Sequence, residues 1–259
     1  MLFSSCSGET PASPTPVAPP VVVSPLPPAD KILNMFVSGG SWIVIGGDPL
    51  QMTANFQTSV NPPEFVDDTD HVTWSVDPSG ILTVDRQGKV TAIASGTARV
   101  IATAAGRSAF ANVRAVPDFT GNWSGNFIIT GCTGHYDFRG CPRMMFSQSD
   151  GSRIQYAFSL SLSQVQDQVT GTLREIFTTA TRETPMRGFV RLSGALVMEA
   201  SVPQPEIAPL QILNWSSTIN AARTQMSGGF TKIEPRRDSF VGNYTLRTEN
   251  EFSGVTRTP

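Results

Sequence analysis

Residues of the types and at the spacing that catalysis requires are scarce in this 259-residue chain. It contains two histidines, His71 and His135. A hydrolase triad needs a nucleophile beside a base, and no Gly-x-Ser-x-Gly turn is present to expose a serine. The glycine motifs that bind phosphate or dinucleotides are also missing. We therefore predict that the chain is not an enzyme, has no catalytic residues and uses no cofactor or metal.

Carboxylates offer a second route to catalysis. Glu175, Glu183 and Glu199 lie on strand-like segments of the chain. A glycosidase uses two carboxyl groups about 5–9 Å apart, and nothing in the sequence brings two of these together. We interpret all three as solvated residues near strand ends.

Two cysteines, Cys132 and Cys141, bracket a loop rich in glycine and aromatic residues. One possible chemistry is a metal site with His135 and Asp137, but the spacing is not that of a zinc knuckle and no second ligand pair exists. The other is a disulfide that closes the loop in an oxidising compartment. The sequence favours the disulfide.

An acidic run precedes a strand in the first half of the chain, with Asp67, Asp68 and Asp70 close together. Calcium prefers six to eight oxygen ligands, and no loop signature completes such a set. We expect a solvated acidic loop, with a calcium site as the alternative.

The composition indicates strands and turns. Charged residues make up 15% of the chain, against about 25% in typical domains, and there are 22 glycines and 20 prolines. The formal net charge is −2, and no basic stripe predicts a nucleic-acid partner. No apolar run approaches the roughly 18–20 residues of a membrane helix.

The first 30 residues contain eight of the prolines, which fix φ and remove backbone donors. We predict that residues 1–30 form an extended tether. Small residues precede Cys6 in the run Met1–Gly8, which resembles the cleavage box of a bacterial lipoprotein. The resemblance implies that Cys6 is lipidated and attaches the protein to a membrane, as an outer-membrane or surface lipoprotein of the cell envelope. The alternative is an unmodified cysteine in an extended tail.

Residues 31–116 alternate short β runs with turns. Val72–Val76 has the period of a half-buried strand, and residues 81–94 predict a hairpin with Gly88 in its turn. The strand-like Ala98–Thr103 follows after another turn. Short strands at this spacing are typical of a sandwich.

The order and spacing of these segments resemble the bacterial immunoglobulin-like domain, group 2. The residues that carry the resemblance are Gly47–Ala54, Val72–Ser75, Leu82–Asp85, Gly88, Val90–Ala92, Gly96–Ala98 and Val100–Thr103. The family implies a β-sandwich of surface and envelope proteins. We expect Trp74 to be its central core aromatic residue.

Residues 118–259 predict a second all-β domain. Its strand-like runs cover residues 127–129, 154–162, 169–177, 188–202, 210–219, 225–233 and 244–246. About eight strands with no helical period suggest an up-and-down antiparallel barrel, which closes to remove its edges. A β-sandwich or half-open barrel is the alternative.

Gly121-Asn122-Trp123 at the front of this region resembles the Gly-x-Trp signature of lipocalin-like barrels. The resemblance implies that Trp123 plugs one end of the barrel and that a late arginine, Arg247 or Arg257, stacks on it.

The predicted function is that of a non-catalytic envelope lipoprotein whose Ig-like spacer presents the barrel. The barrel would bind a small apolar ligand or a partner. We expect the ligand to contact Trp123, Phe158, Leu160, Leu162 and Trp215, with Val190, Leu192 and Ile212 also inward. The alternative is an adhesive or structural module with a solid barrel core that binds protein or polysaccharide.

Overall fold

A computed structural model of the chain describes residues 28, 31–59, 65–134, 152–177, 180–204, 207–238 and 242–258. The predicted tether falls almost wholly outside these ranges. The first nine strands form a β-sandwich: β1 Ile32–Gly39, β2 Trp42–Val44, β3 Leu50–Thr58, β4 Phe65–Asp67, β5 Thr73–Asp77, β6 Leu82–Val84, β7 Lys89–Ala92, β8 Gly96–Ala104 and β9 Arg107–Val116. A short 3₁₀ helix, Thr69–His71, lies between β4 and β5.

Two sheets make up the sandwich. One has the order β1-β3-β7-β6 with β4 paired to β3, and the other has the order β2-β9-β8-β5. Alternate side chains of both sheets point inward, as the two-residue period of a strand requires. They form two apolar clusters, one around Met52, Val90 and Val100 and the other around Phe56 and Ala102.

The hairpin predicted over residues 81–94 is present. Its strands β6 and β7 pair antiparallel, with Leu82 opposite Ala92 and Val84 opposite Val90. Gly88 in its turn has φ +76°, and a Cβ there would come within 2.6 Å of the Met52 carbonyl oxygen. Glycine is therefore required both by the backbone conformation and by the close approach of β3.

Trp74 differs from the sequence-based expectation. Its side chain is only half-buried, and it packs at the boundary between the two apolar clusters instead of at the centre of one. Its Nε1 donates to the Thr69 carbonyl oxygen at 3.2 Å. The ring needs a polar partner for its N–H, which places it at the edge of the core, beside the 3₁₀ helix.

The second half of the described chain is a closed barrel of eight antiparallel strands, and β17 returns to pair with β10. Its strands are β10 Gly121–Gly134, β11 Gln155–Val165, β12 Gln168–Ile176, β13 Thr181–Val190, β14 Leu196–Gln204, β15 Ile207–Ile219, β16 Gln225–Asp238 and β17 Gly242–Thr258. The predicted barrel is therefore confirmed. The run 188–202 is not one strand, because the turn around Gly194 divides β13 from β14.

The barrel has a proximal end, next to the sandwich, and a distal end, where β10, β12, β14 and β16 finish. Inward side chains near the proximal end are apolar and include Phe119, Trp123, Leu162 and Val255. The middle layer is aromatic, with Trp215 stacked on Phe230 at 4.9 Å between ring centroids. Rings of Phe127, Phe158 and Phe252 pack around this pair.

Candidate functional site

A group of charged side chains lies inside the barrel on the distal side of the aromatic layer. We call Glu175, Arg182, Lys232, Glu234 and Arg236 the lumenal ion cluster. Glu175 follows the inward residue Leu173 on β12, and it is paired across the ladder with Arg182 of β13. The remaining three come from β16, on the opposite side of the eight-stranded wall.

Direct ion pairs cross the lumen between these strands. Lys232 donates from Nζ to Glu175 Oε1 at 2.6 Å, and its Nζ lies 3.6 Å from Glu234 Oε2. Arg182 Nη2 donates to Glu234 Oε1 at 2.7 Å. Arg236 Nη2 lies 3.1 Å from Glu234 Oε2. The cluster therefore ties β12 and β13 to β16 above the apolar interior.

Burial and charge oppose each other at Glu234. Burial alone would raise the pKa of this carboxyl, because a charged group loses hydration. Lys232, Arg182 and Arg236 outweigh burial together and leave the pKa of Glu234 below its ordinary value. Glu234 is thus ionised near neutral pH and holds three cations around it.

Three buried polar atoms at this site have no hydrogen-bond partner among the described residues: Glu175 Oε2, Arg182 Nη1 and Thr184 Oγ1. Glu175 Oε2 and Arg182 Nη1 are 4.0 Å apart, which is too far for a hydrogen bond. Thr184 is fully buried on the same face of β13 as Arg182. Unsatisfied buried polar atoms are rare in folded proteins, and each calls for an explanation.

The position of Glu175 corrects the sequence-based interpretation. We expected Glu175, Glu183 and Glu199 to be solvated, and this is right for Glu183 and Glu199, whose side chains are exposed. Glu175 has no exposed surface. The sequence contained an indication of this burial. Alternate residues of a strand face the same side, so Glu175 shares the inward face of β12 with Val169 and Leu173. On β16, Phe230, Lys232 and Glu234 likewise share a face.

All five residues predicted to contact a ligand lie inside the barrel and are almost fully buried: Trp123, Phe158, Leu160, Leu162 and Trp215. They pack against one another and against neighbouring rings. Ligand binding by these residues stays a prediction. Val190 and Ile212 are also buried, whereas Leu192 lies in the β13–β14 turn and is exposed, contrary to expectation.

Trp123 occupies the proximal end of the barrel, as predicted. Its Nε1 donates to the Phe119 carbonyl oxygen at 2.9 Å. The Arg257 guanidinium carbon lies 5.5 Å from the Trp123 ring centroid, a cation–π contact. Arg257 also pairs with Asp118 at 2.8 Å. Of the two arginines that the sequence left open, Arg257 is therefore the one that stacks.

The sandwich contacts the barrel at this same proximal end. Trp42 and Val44 of β2 pack against the apolar interior of the barrel, together with Val116. Arg223, in the β15–β16 turn, donates from Nη1 to the Ile45 carbonyl oxygen. Gln164 Nε2 donates to the Pro117 carbonyl oxygen at 3.1 Å. The distal end, with its ion cluster, is consequently the end that points away from the sandwich.

Two other predicted sites lie partly or wholly outside the described residues. Cys132 is on β10, but Cys141 and His135 are outside, as is Cys6, so the disulfide and the lipidation stay predictions. In the acidic run, Asp67 and Asp70 are exposed, as expected of a solvated loop. Asp68 is the exception, because it is buried and contacts the His71 ring. Within the described ranges, no group of three or more candidate ligands could hold a metal ion. No helix there is long and apolar enough to cross a membrane.

In a comparison with known families, the model of the bacterial Ig-like domain (group 2) matches residues 34–110. Comparison with curated proteins gives no match. The match covers the segments on which the resemblance was based, from β1 to β9. Residues 34–110 are therefore a bacterial Ig-like domain of group 2, which this chain joins to a closed eight-stranded antiparallel barrel.

Proposed function

We propose that this chain is a non-catalytic module of the bacterial cell envelope, in which the Ig-like domain presents the barrel and the distal end of the barrel contacts a ligand or partner. Lipidated Cys6 would attach it to the membrane, and residues 1–30 would act as the tether. A Cys132–Cys141 disulfide would close the loop that follows β10. Bacterial Ig-like domains of this group occur in extracellular proteins, which supports an extracytoplasmic location.

The observation that carries the proposal is the contact between the Ig-like domain and the proximal end of the barrel. Apolar packing by Trp42 and Val44 and the hydrogen bond from Arg223 occupy that end. A partner therefore reaches the barrel most readily at the distal end. The chain enters the barrel at Gly121, on the side of the sandwich.

The layers inside the barrel bear on what could bind. A small apolar ligand, as the sequence suggested, would have to displace the rings packed around Trp215. A polar ligand that approaches the distal end meets Arg182 and Arg236, whose side chains are 32% and 46% exposed. The geometry therefore supports contact at the distal end better than binding deep inside the barrel.

Expression from the native gene in a bacterium with two membranes tests the envelope role. We expect the full chain in the membrane fraction, with a diacylated Cys6 peptide in mass spectra. Cys6→Ala should release it, whereas Cys132→Ser should leave the anchor intact. A cytoplasmic protein with unmodified Cys6 would contradict the proposal.

A second candidate function, adhesion through the Ig-like domain, is favoured by an exposed apolar patch. Leu33, Phe36 and Phe65 are exposed on the sheet that contains β1, β3 and β4. The rings of Phe36 and Phe65 are 6.3 Å apart. Exposed aromatic patches of this kind often mark contact surfaces. Phe65→Ser should reduce attachment of cells that display the protein, and unchanged attachment would reject this role for the patch.

A further inference from the structure

We propose that the distal end of the barrel binds a hydroxylated carboxylate, such as a sugar acid, at Arg182, Arg236, Thr184 and Glu175. This inference rests on the proposed function, because it assigns a ligand class to the end that the Ig-like domain presents. The two guanidinium groups would bind the carboxylate. Thr184 and Glu175 would bind a neighbouring hydroxyl group.

The charge of the lumenal ion cluster favours an anion. Lys232, Arg182 and Arg236 carry three positive charges, whereas Glu175 and Glu234 carry two negative charges. Glu234 lies below the two guanidinium groups and hydrogen-bonds or pairs with both. It therefore holds them in fixed positions. Arginine in such an arrangement presents further N–H donors in a planar fork, which matches the geometry of a carboxylate.

The unpaired atoms specify more than a negative charge. Arg182 Nη1 is a donor without a partner among the described residues, and it suits an acceptor on the ligand. Glu175 Oε2 is an acceptor when ionised and requires a donor, which a simple carboxylate lacks. Thr184 Oγ1 can donate or accept. A hydroxyl group next to a carboxylate supplies both kinds of partner.

These atoms lie on the distal side of the aromatic layer. Glu175 and Thr184 are fully buried, and Arg182 is partly exposed beside them. Arg182 Nη1 and Glu175 Oε2 face each other 4.0 Å apart, so a ligand reaches Glu175 and Thr184 only if the Arg182 side chain moves aside. Phe177 lies beside the cluster, with its ring centroid 5.8 Å from both Arg182 Cζ and Lys232 Nζ. Its ring provides an apolar surface for the carbon side of a sugar ring.

Calorimetric titration of the full chain with D-glucuronate tests the site, with D-glucose as the neutral control. We expect saturable glucuronate binding and no measurable glucose binding. Polygalacturonate forms a separate arm, because the same chemistry occurs in a free sugar acid and in an acidic polysaccharide. Binding of the polymer alone would assign the site to polysaccharide.

Three variants connect binding to the named residues. Arg236→Gln removes a partly exposed donor and should weaken glucuronate binding about 10- to 100-fold. Thr184→Val keeps the shape of a buried residue and should weaken glucuronate binding without lowering the melting temperature. Arg187→Gln on the outer wall, where Arg187 pairs with Glu199, is the matched control and should bind like the wild type.

If neither D-glucuronate nor polygalacturonate binds saturably, this proposal is overturned. Equal binding by Thr184→Val and the wild type would overturn the assignment of the hydroxyl contact. A membrane-anchored, diacylated protein that binds neither probe would reject only the ligand class, whereas an unmodified cytoplasmic protein would reject the proposed function itself.

Discussion

The carboxylate of Glu175 depends on a single close cation. It is fully buried, and Lys232 Nζ at 2.6 Å is the partner that compensates its lost hydration. Buried ion pairs add little net stability, but removal of one partner leaves an uncompensated charge. The pair therefore makes the interior of the barrel sensitive to single substitutions.

Lys232→Met should destabilise the barrel by about 3–5 kcal/mol, because it leaves Glu175 buried without its cation. The double variant Glu175→Leu with Lys232→Met should recover most of this loss, since both charges are then absent. Chemical denaturation of the two single variants and the double variant measures the coupling. Additive effects in this cycle would contradict a direct dependence of Glu175 on Lys232.

Acid should destabilise the folded barrel through Glu234. Its pKa in the folded protein lies below the ordinary value of 4.5, so the unfolded chain binds more protons at intermediate pH. The stabilising contribution is therefore complete above pH 4.5 and is lost as the pH falls through the lower folded value. Asp118, whose pKa is also lowered despite burial, adds to the same trend.

Melting temperatures measured between neutral pH and pH 3 test this dependence. Glu234→Gln should flatten the acid side of the profile, because it removes the titrating group. Glu183→Gln, at an exposed position on the outer face of β13, should retain the wild-type slope. An unchanged profile for Glu234→Gln would show that other groups dominate.

The positions of individual strands could be predicted from the sequence better than the contacts between strands that are distant in sequence. The 81–94 hairpin follows from local alternation and one turn glycine, and the group of eight later strands follows from their count and spacing. Lys232 and Glu175 are 57 residues apart in sequence and meet across the barrel. Strand parity indicates that each faces inward, but only closure of the barrel brings them together. The Ig–barrel contact was missed for the same reason.

The β15–β16 turn joins the barrel to the Ig-like domain. Arg223 in this turn has φ +59°, a conformation that favours glycine, and its side chain reaches the Ile45 carbonyl oxygen. A Cβ on Gly46 would collide with this guanidinium. Arg223, the residue of this turn with the strained backbone, is therefore also the residue that contacts the Ig-like domain.

Arg223→Gly should weaken the coupling between the two domains, because glycine fits the turn but cannot reach Ile45, while the apolar contacts of Trp42 and Val44 remain. Calorimetry should show one cooperative transition for the wild type and a broader transition for the variant. Asn214→Gly is the matched control, since Asn214 also has positive φ at 52° but lies within the barrel wall. Two transitions in the wild type would mean that the interface does not couple the domains.

The whole molecule combines an Ig-like domain at one end with the charged distal end of the barrel lumen at the other. Its sandwich ends at Val116, and the barrel begins only five residues later, at Gly121. Val116 and Phe119 of this connection are buried in the apolar interior of the barrel. The connection is short and buried, and hydrogen bonds beside it join Arg223 to Ile45 and Gln164 to Pro117. We therefore predict that the two domains move together.

Residual dipolar couplings of backbone amides, recorded on the full chain in solution, test this rigid presentation most directly. Couplings from residues 34–110 and from the barrel strands should fit one shared alignment tensor. Independent tensors for the two domains would contradict the account, because a mobile barrel would not present its distal end in a fixed direction.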